Sequence, residues 1–195
     1  MINLSLIYDF DHSIGKAVNS FLNYSNGFFT DFLKFVTTLG NSGLVFIIAA
    51  IIMLLFVKTR KAGAISLIAL LFGFLLTNLL LKNVVARLRP YIDTNSDFYF
   101  WWKSAGSLLE SGFSFPSGHT CASFACAGVY YKAFPGKWGK AAMVLAVLIA
   151  LSRLYVGVHY PTDVLAGALV GTFSALAALK LEHALVRYYE ERKAK

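Results

Sequence analysis

Long apolar runs alternate with short polar turns along this chain. Gly43–Val57 is uninterrupted apolar sequence, and Ala62–Leu81, Gly118–Tyr131, Ala141–Val158 and Val164–Leu181 follow as four more runs. A helix needs roughly 20 apolar residues to cross a bilayer, so the pattern predicts about five spans. The first run is 15 residues long and has to draw in Leu39 to Ser42 to reach that length. Residues 10–40 follow a different rule. Phe21, Leu22, Phe28, Phe29, Phe32, Leu33, Phe35 and Val36 recur at near-helical spacing, with Asn23, Asn26, Asp31 and Lys34 between them. That mixture predicts one or two amphipathic helices lying on the bilayer surface, with a sixth span as the alternative. Tyr91–Phe115 is the longest polar stretch, and its Tyr99–Trp102 cluster reads as an interfacial anchor. The tail after Leu181 is polar and reads as a helical extension outside the membrane. No internal repeat, low-complexity tract or linker divides the chain. The expected fold is therefore all-α: one polytopic membrane helical bundle over 1–195. It has an interfacial segment at 1–40, the helical bundle at 41–181 and a polar tail at 182–195.

Composition agrees with a membrane protein. The chain of 195 residues is 57% hydrophobic and only 14% charged, and its mean hydropathy is +0.63. A formal charge of +8 would suggest nucleic acid in a soluble protein. In a membrane protein it reflects basic cytoplasmic loops, so the expected partners are the bilayer and a lipid, with no nucleic acid. Residues 1–20 hold Asp9, Asp11 and His12 and lack a basic start before an apolar core, so no cleavable signal peptide is expected. Cys121 and Cys126 lie five residues apart on one predicted helix and read as small packing residues. Gly167 with Gly171, and Gly118 with Ala122, form small-xxx-small pairs suited to close helix packing.

Orientation follows from charge. Lys58, Arg60, Lys61, Lys132, Lys137, Lys140 and the tail basics fall at one end of the predicted spans. By the positive-inside rule that end is cytoplasmic. The chemically interesting residues fall at the other, external end. Lys82 and Arg89 follow the second span, Ser117 and His119 open the third, Arg153 closes the fourth, and His159 and Asp163 precede the fifth. Pro161 breaks any helix through His159 and suits the first turn of the next, which places Asp163 near that helix's N-terminus.

These residue types together suit a phosphate. Arginine forks grip phosphate oxygens with paired donors, and lysine adds a point charge. Pro116-Ser117-Gly118-His119 at a helix start offers backbone N–H groups and a hydroxyl, and Gly118 allows close approach. His159 with Asp163 four residues on reads as a nucleophile and its orienter. His119 is then left to protonate a leaving group and later to accept a proton from water. A zinc site is the rival, since two histidines and an aspartate are all ligands. Three cationic side chains would repel a metal, and no fourth ligand is evident, so neither metal nor cofactor is expected. Arg87 reads as interfacial or paired, and His12 and His183 as surface histidines. Glu110, Asp93 and Asp97 read as solvated loop charges, with tuning of the site as the alternative. Tyr155 and Tyr160 read as interface aromatics.

The sequence resembles the type 2 phosphatidic acid phosphatase superfamily. Lys82 through Arg89-Pro90 matches its K-x6-RP element, Pro116 to His119 its PSGH element, and Ser152, Arg153, His159 and Asp163 its SR-x5-H-x3-D element. The resemblance covers about Asn41 to Leu181. It implies a membrane lipid phosphatase working without metal through a phosphohistidine on His159. Asp163 would orient His159, and His119 would act as acid and then base. Lys82, Arg89, Ser117, Gly118 and Arg153 would bind phosphate. Undecaprenyl diphosphate is the favoured substrate, with phosphatidic acid or phosphatidylglycerophosphate as alternatives. Transfer of the phosphate to a lipid acceptor and non-enzymatic carriage of a lipid phosphate are the other readings. Vanadate-dependent halide oxidation uses a similar site in soluble proteins, and five apolar spans argue against it.

Overall fold

The computed structural model describes residues 4–40 and 43–194, and among them every regular element is helical. Asn41 and Ser42, which the first span was expected to use, lie outside the described residues, as does Lys195 of the tail. The elements are α1 (Leu4–Tyr24), α2 (Thr30–Leu39), α3 (Leu44–Leu54) and α4 (Arg60–Phe74). A π-helical stretch (Leu75–Leu81) continues α4 without a break into α5 (Lys82–Val85). Then come α6 (Asp97–Ser104), α7 (Gly118–Ala133), α8 (Lys137–Tyr155) and α9 (Pro161–Lys193).

Among the described residues three helical runs are long and apolar enough to cross a membrane: Arg60–Val85, Lys137–Tyr155 and Pro161–Lys193. The pair α2 and α3, bent by 51°, makes a fourth if it is taken as one span. Two of the five runs read as spans form helices shorter than a full span, without a change in their place in the bundle. The helix in the first apolar run has only 11 residues, a rise of about 17 Å. The third, α7, has 16 residues and does not face lipid along its length. It is the central helix, packed against α9, α8 and α4, with Thr120, Cys121, Ser123, Ala125, Cys126 and Val129 all buried. Lipid-facing surface lies on its neighbours, where Leu71, Phe74, Val144, Leu151, Leu165, Leu169 and Phe173 are exposed.

Close approach of α9 to α7 depends on the two glycines with i, i+4 spacing. A Cβ on Gly167 would lie 2.5 Å from the Ser117 carbonyl oxygen, and one on Gly171 would meet that of Cys121. The expected small-residue seam is therefore present, and it presses the start of α9 against the start of α7. The alternation of helix directions also holds. The Lys61–Glu182 ion pair, 2.7 Å, ties the start of α4 to the far part of α9. The other end gathers the ends of α5 and α8 and the starts of α7 and α9.

The N-terminal segment departs from a simple surface layer. Helix α1 is long but not apolar enough to qualify as a span. One side exposes Leu6, Phe10 and Phe21, as an interfacial helix would. The other packs on α8, α9 and α6. The Tyr99–Trp102 cluster is also more than an anchor. Trp102 is buried, stacks on Tyr91 at 4.7 Å and joins a second core with Leu22, Tyr155, Val156 and Val158. Backbone atoms of Trp102 leave Gly157 no room for a Cβ.

Candidate active site

Two helix starts build the site. Ser117 caps α7, its hydroxyl accepting from the Thr120 N–H, which leaves Gly118 and His119 in the first turn. Pro161 opens α9 with its fixed φ, and the Asp163 carboxylate reaches back to accept the Tyr160 N–H at 2.9 Å. The two starts are joined directly, because the Ser117 N–H donates to the Asp163 carbonyl at 3.0 Å.

His159 sits in the turn before α9, 4% exposed. Its Nδ1 is 3.5 Å from Asp163 Oδ2 and 3.3 Å from Ser114 Oγ. Ser114 in turn donates to the same carboxylate oxygen at 2.5 Å. With Nδ1 facing a carboxylate, the ring proton belongs on Nδ1 and the lone pair on Nε2. Nε2 lies 3.4 Å from Arg89 Nη1. Burial lowers the His159 pKa to about 4; Asp163 pulls the other way, and the Arg153 charge adds to the fall. The imidazole is therefore neutral at physiological pH.

Arg89 is held by three backbone carbonyls: Gly112 from Nε at 3.0 Å, Val158 from Nη1 at 3.1 Å and Ser111 from Nη2 at 2.8 Å. Two N–H groups of its fork remain beyond these. Arg153 is fully buried at the end of α8. It donates to Thr37 Oγ1 at 2.5 Å and to Glu110 Oε1 at 2.6 Å, while its Nε has no hydrogen-bond partner. The same Glu110 oxygen lies 3.8 Å from His119 Nε2.

A cavity of about 810 Å³ opens onto these groups. Lys82, Arg89, Glu110, Gly118, His119 and His159 line its polar end. Ile47, Leu67, Leu70, Leu71 and Phe74 line the rest, between α3 and α4. The π-helical stretch brings Asn78 and Lys82 to this wall, and a buried Asn78 Oδ1 faces the region of Gly118 without a hydrogen-bond partner. Five of the eight residues singled out from the sequence thus face one space: Lys82, Arg89, Gly118, His119 and His159. Asp163 stands behind His159, and Arg153 stands behind Glu110. Ser117 is buried with its hydroxyl turned to Thr120. Among the described residues no three His, Cys, Asp or Glu side chains converge as a metal-binding group.

Several expectations need correction. Glu110 is no solvated loop charge but the carboxylate partner of Arg153. Tyr155 is buried and bonded to Thr30 at 2.9 Å, and Tyr160 lies under the Arg87 guanidinium, 3.7 Å from ring centroid to Cζ. Neither is an interface aromatic. His12 is not simply a surface histidine: it bonds Asp97 at 2.7 Å and packs on Phe98 and Trp101. Arg87 is paired, as one branch of its reading held, with Asp163 and with the fully buried Asp11. Asp11, Thr37 and Ser114 had no sequence signal. They come from three separate segments and carry no motif spacing.

Comparison with known proteins bears on the family and the fold. A family model described as the PAP2 superfamily matches residues 62–187. The chain is similar to an undecaprenyl-diphosphatase of Sulfolobus acidocaldarius, 32% identical over 141 residues, which are 71% of this chain and 64% of that relative. The chain thus spans a little under two thirds of that protein's length. It is 33% identical over 182 residues to phosphatidylglycerophosphatase B of Bacillus subtilis, covering 87% of this chain and 82% of the relative. A crystal structure of a transmembrane PAP2 type phosphatidylglycerolphosphate phosphatase from Bacillus subtilis superposes with a TM-score of 0.69 at 28% identity. That match covers 92% of this chain and 87% of the other. A family match over most of the helical bundle, together with a shared fold, means that the chain belongs to the PAP2 superfamily.

Proposed function

We propose that the protein is an integral-membrane lipid phosphatase that hydrolyses a phosphomonoester or diphosphate of a membrane lipid. The observation that carries this reading is the single cavity whose polar end holds Lys82, Arg89, His119 and His159 and whose walls run on into apolar side chains. A phosphate suits the first part and a lipid chain the second.

The geometry supports a double displacement. His159 Nε2, with its lone pair facing the cavity, attacks phosphorus while Asp163 holds the Nδ1 proton. The bond from phosphorus to the lipid oxygen breaks, and His119 gives that oxygen a proton. Water then loses a proton to His119 and attacks phosphorus, the P–Nε2 bond breaks, and phosphate leaves. Lys82, Arg89 and the Gly118 N–H take the charge that builds on the non-bridging oxygens. Arg153 joins them when Glu110 yields, and Ser117 holds the α7 start in place. No step calls for a metal or cofactor. The external membrane face is proposed for the site because the basic ends of the helices lie at the opposite end of the bundle.

Undecaprenyl diphosphate is the favoured substrate, in line with the relative from Sulfolobus acidocaldarius. Phosphatidylglycerophosphate is the second reading, favoured by the relative that aligns over 82% of its own length. The test is phosphate release by the purified protein from undecaprenyl diphosphate, phosphatidate and phosphatidylglycerophosphate, with His159→Ala as control. Release that is fastest from one lipid and absent in the control supports the proposal and identifies the substrate. Equal release by His159→Ala removes the nucleophile. Phosphate found on an added lipid acceptor instead of in water makes the protein a transferase.

A further inference from the structure

We propose that Asp11 and Arg87 are positioning residues that hold the Asp163 carboxylate on His159, so that the N-terminal helix α1 is part of the catalytic unit. The proposal rests on the phosphatase reading above and adds Asp11, which lies outside the motifs, and Arg87, one of the unspecified positions inside K-x6-RP. Asp11 also lies outside the segment matched to the family, residues 62–187.

The contacts form a closed network. Arg87 Nη1 donates to Asp163 Oδ1 at 2.8 Å and to Thr162 Oγ1 at 2.7 Å, and its Nη2 donates to Asp11 Oδ2 at 2.7 Å. Asp11 also accepts the Thr162 N–H on Oδ1 at 2.8 Å and the Thr162 hydroxyl on Oδ2 at 2.9 Å. The Thr162 N–H lies in the first turn of α9 and has no partner within its own helix, so a carboxylate from α1 caps α9. Asp11 is 0% exposed. A carboxylate removed from water in this way is tolerated only when it is paired and fully hydrogen-bonded. The network supplies both.

Its effect on the site is geometric. The Asp163 carboxylate has one rotation about Cβ–Cγ to settle. Arg87 takes Oδ1. That leaves Oδ2 for the Ser114 hydroxyl, the Tyr160 N–H and His159 Nδ1. The Arg87 backbone acts on the same oxygen indirectly, because its carbonyl accepts the Ser114 N–H at 2.8 Å and so places the Ser114 side chain. Ala86, at φ 47°, ends α5 in the left-handed region and turns residue 87 back toward α9. The Tyr160 ring supports the guanidinium from below. A fork that donates to two carboxylates from one plane suits arginine and not lysine.

The test uses the full chain in detergent with ¹⁵N-labelled histidine, assigned by comparison with His159→Ala. In the wild type the His159 signals are those of one tautomer, protonated at Nδ1. In Asp11→Asn and Arg87→Gln the expected result is averaging between the two tautomers. It comes with a kcat at least tenfold lower and a KM within twofold. Asp11→Glu and Arg87→Lys keep both charges but break the fork geometry. The same changes are expected there, which covers the case in which a charge-removing variant fails to fold. In an Asp163→Asn background, Asp11→Asn is expected to change kcat by less than twofold. Wild-type tautomer signals in all the variants, or multiplicative losses in the double variant, overturn the relay. The spectra need no turnover. A chain that releases no phosphate refutes the phosphatase reading, while the relay is still decided by the tautomer.

Discussion

Replacing Glu110 with glutamine is expected to weaken the fold and tighten phosphate binding in the same molecule. Arg153 is fully buried, and Glu110 is its carboxylate partner at 2.6 Å. Breaking a buried ion pair from one side costs about 3–5 kcal/mol. The Glu110 side chain is 21% exposed, and glutamine keeps a carbonyl acceptor, so about 2 kcal/mol is the expected loss here. For a chain of this length that is a fall of roughly 4–8 °C in Tm. Binding moves the other way. A phosphate between Arg153 and His119 has to come close to the carboxylate oxygen that now lies 2.6 Å from one and 3.8 Å from the other. Two unit charges 4 Å apart repel by about 4 kcal/mol at an effective dielectric of 20. Swinging the side chain toward solvent relieves most of this, and a remainder of about 1.4 kcal/mol is a factor of ten in affinity. Thermal unfolding in detergent with titrated inorganic phosphate measures both quantities. Without phosphate Glu110→Gln melts below wild type, and the gap narrows as phosphate rises. A variant that melts with wild type and binds phosphate no more tightly refutes the reasoning.

Other outcomes follow from the same geometry. Arg89→Ala is expected to lower kcat/KM by about 2–4 kcal/mol of transition-state stabilisation, the scale for one oxyanion donor. Arg89→Lys should restore little of it, since an ammonium cannot serve three carbonyls and a phosphate from one plane; steady-state kinetics decide both. With its pKa lowered from 6.5 to about 4, native His159 stays neutral until the pH falls through about 4, whereas the unfolded chain takes up that proton from about 6.5 downward. The stability that comes from keeping it neutral is therefore complete above pH 6.5 and lost progressively toward pH 4. The nucleophile itself should not limit kcat at pH 6, which a pH–rate profile at saturating substrate checks. Phosphate release is expected to continue in EDTA and to be inhibited by vanadate; loss in EDTA that added metal reverses would bring back a metal mechanism. Gly167→Val should lower both Tm and kcat, because a Cβ there would lie 2.5 Å from the Ser117 carbonyl and push α9 away from α7.

The apolar runs and the positions of Lys82, Arg89, Gly118, His119, His159 and Asp163 were readable from local sequence. Apolar period and length reflect the bilayer, which acts on every segment separately. A site built at helix starts carries Pro, Ser and Gly at set offsets, because caps and first turns are local structures. The helical architecture, the shared end for the site and the Gly167–Gly171 seam therefore followed from the chain alone. Three things did not. The lengths of α3 and α7, 11 and 16 residues within runs read as whole spans, were set by where packing lets each helix start and stop. Glu110 looked like one more loop acid until the end of α8 and Thr37 of α2 were folded around Arg153. Arg87 and Ser114 meet on Asp163, and Asp11, 152 positions before it (163 − 11), holds Arg87 there. A buried charge selects whichever partner the fold brings within hydrogen-bond reach. That choice leaves no spacing in the sequence, so only the tertiary structure decides it.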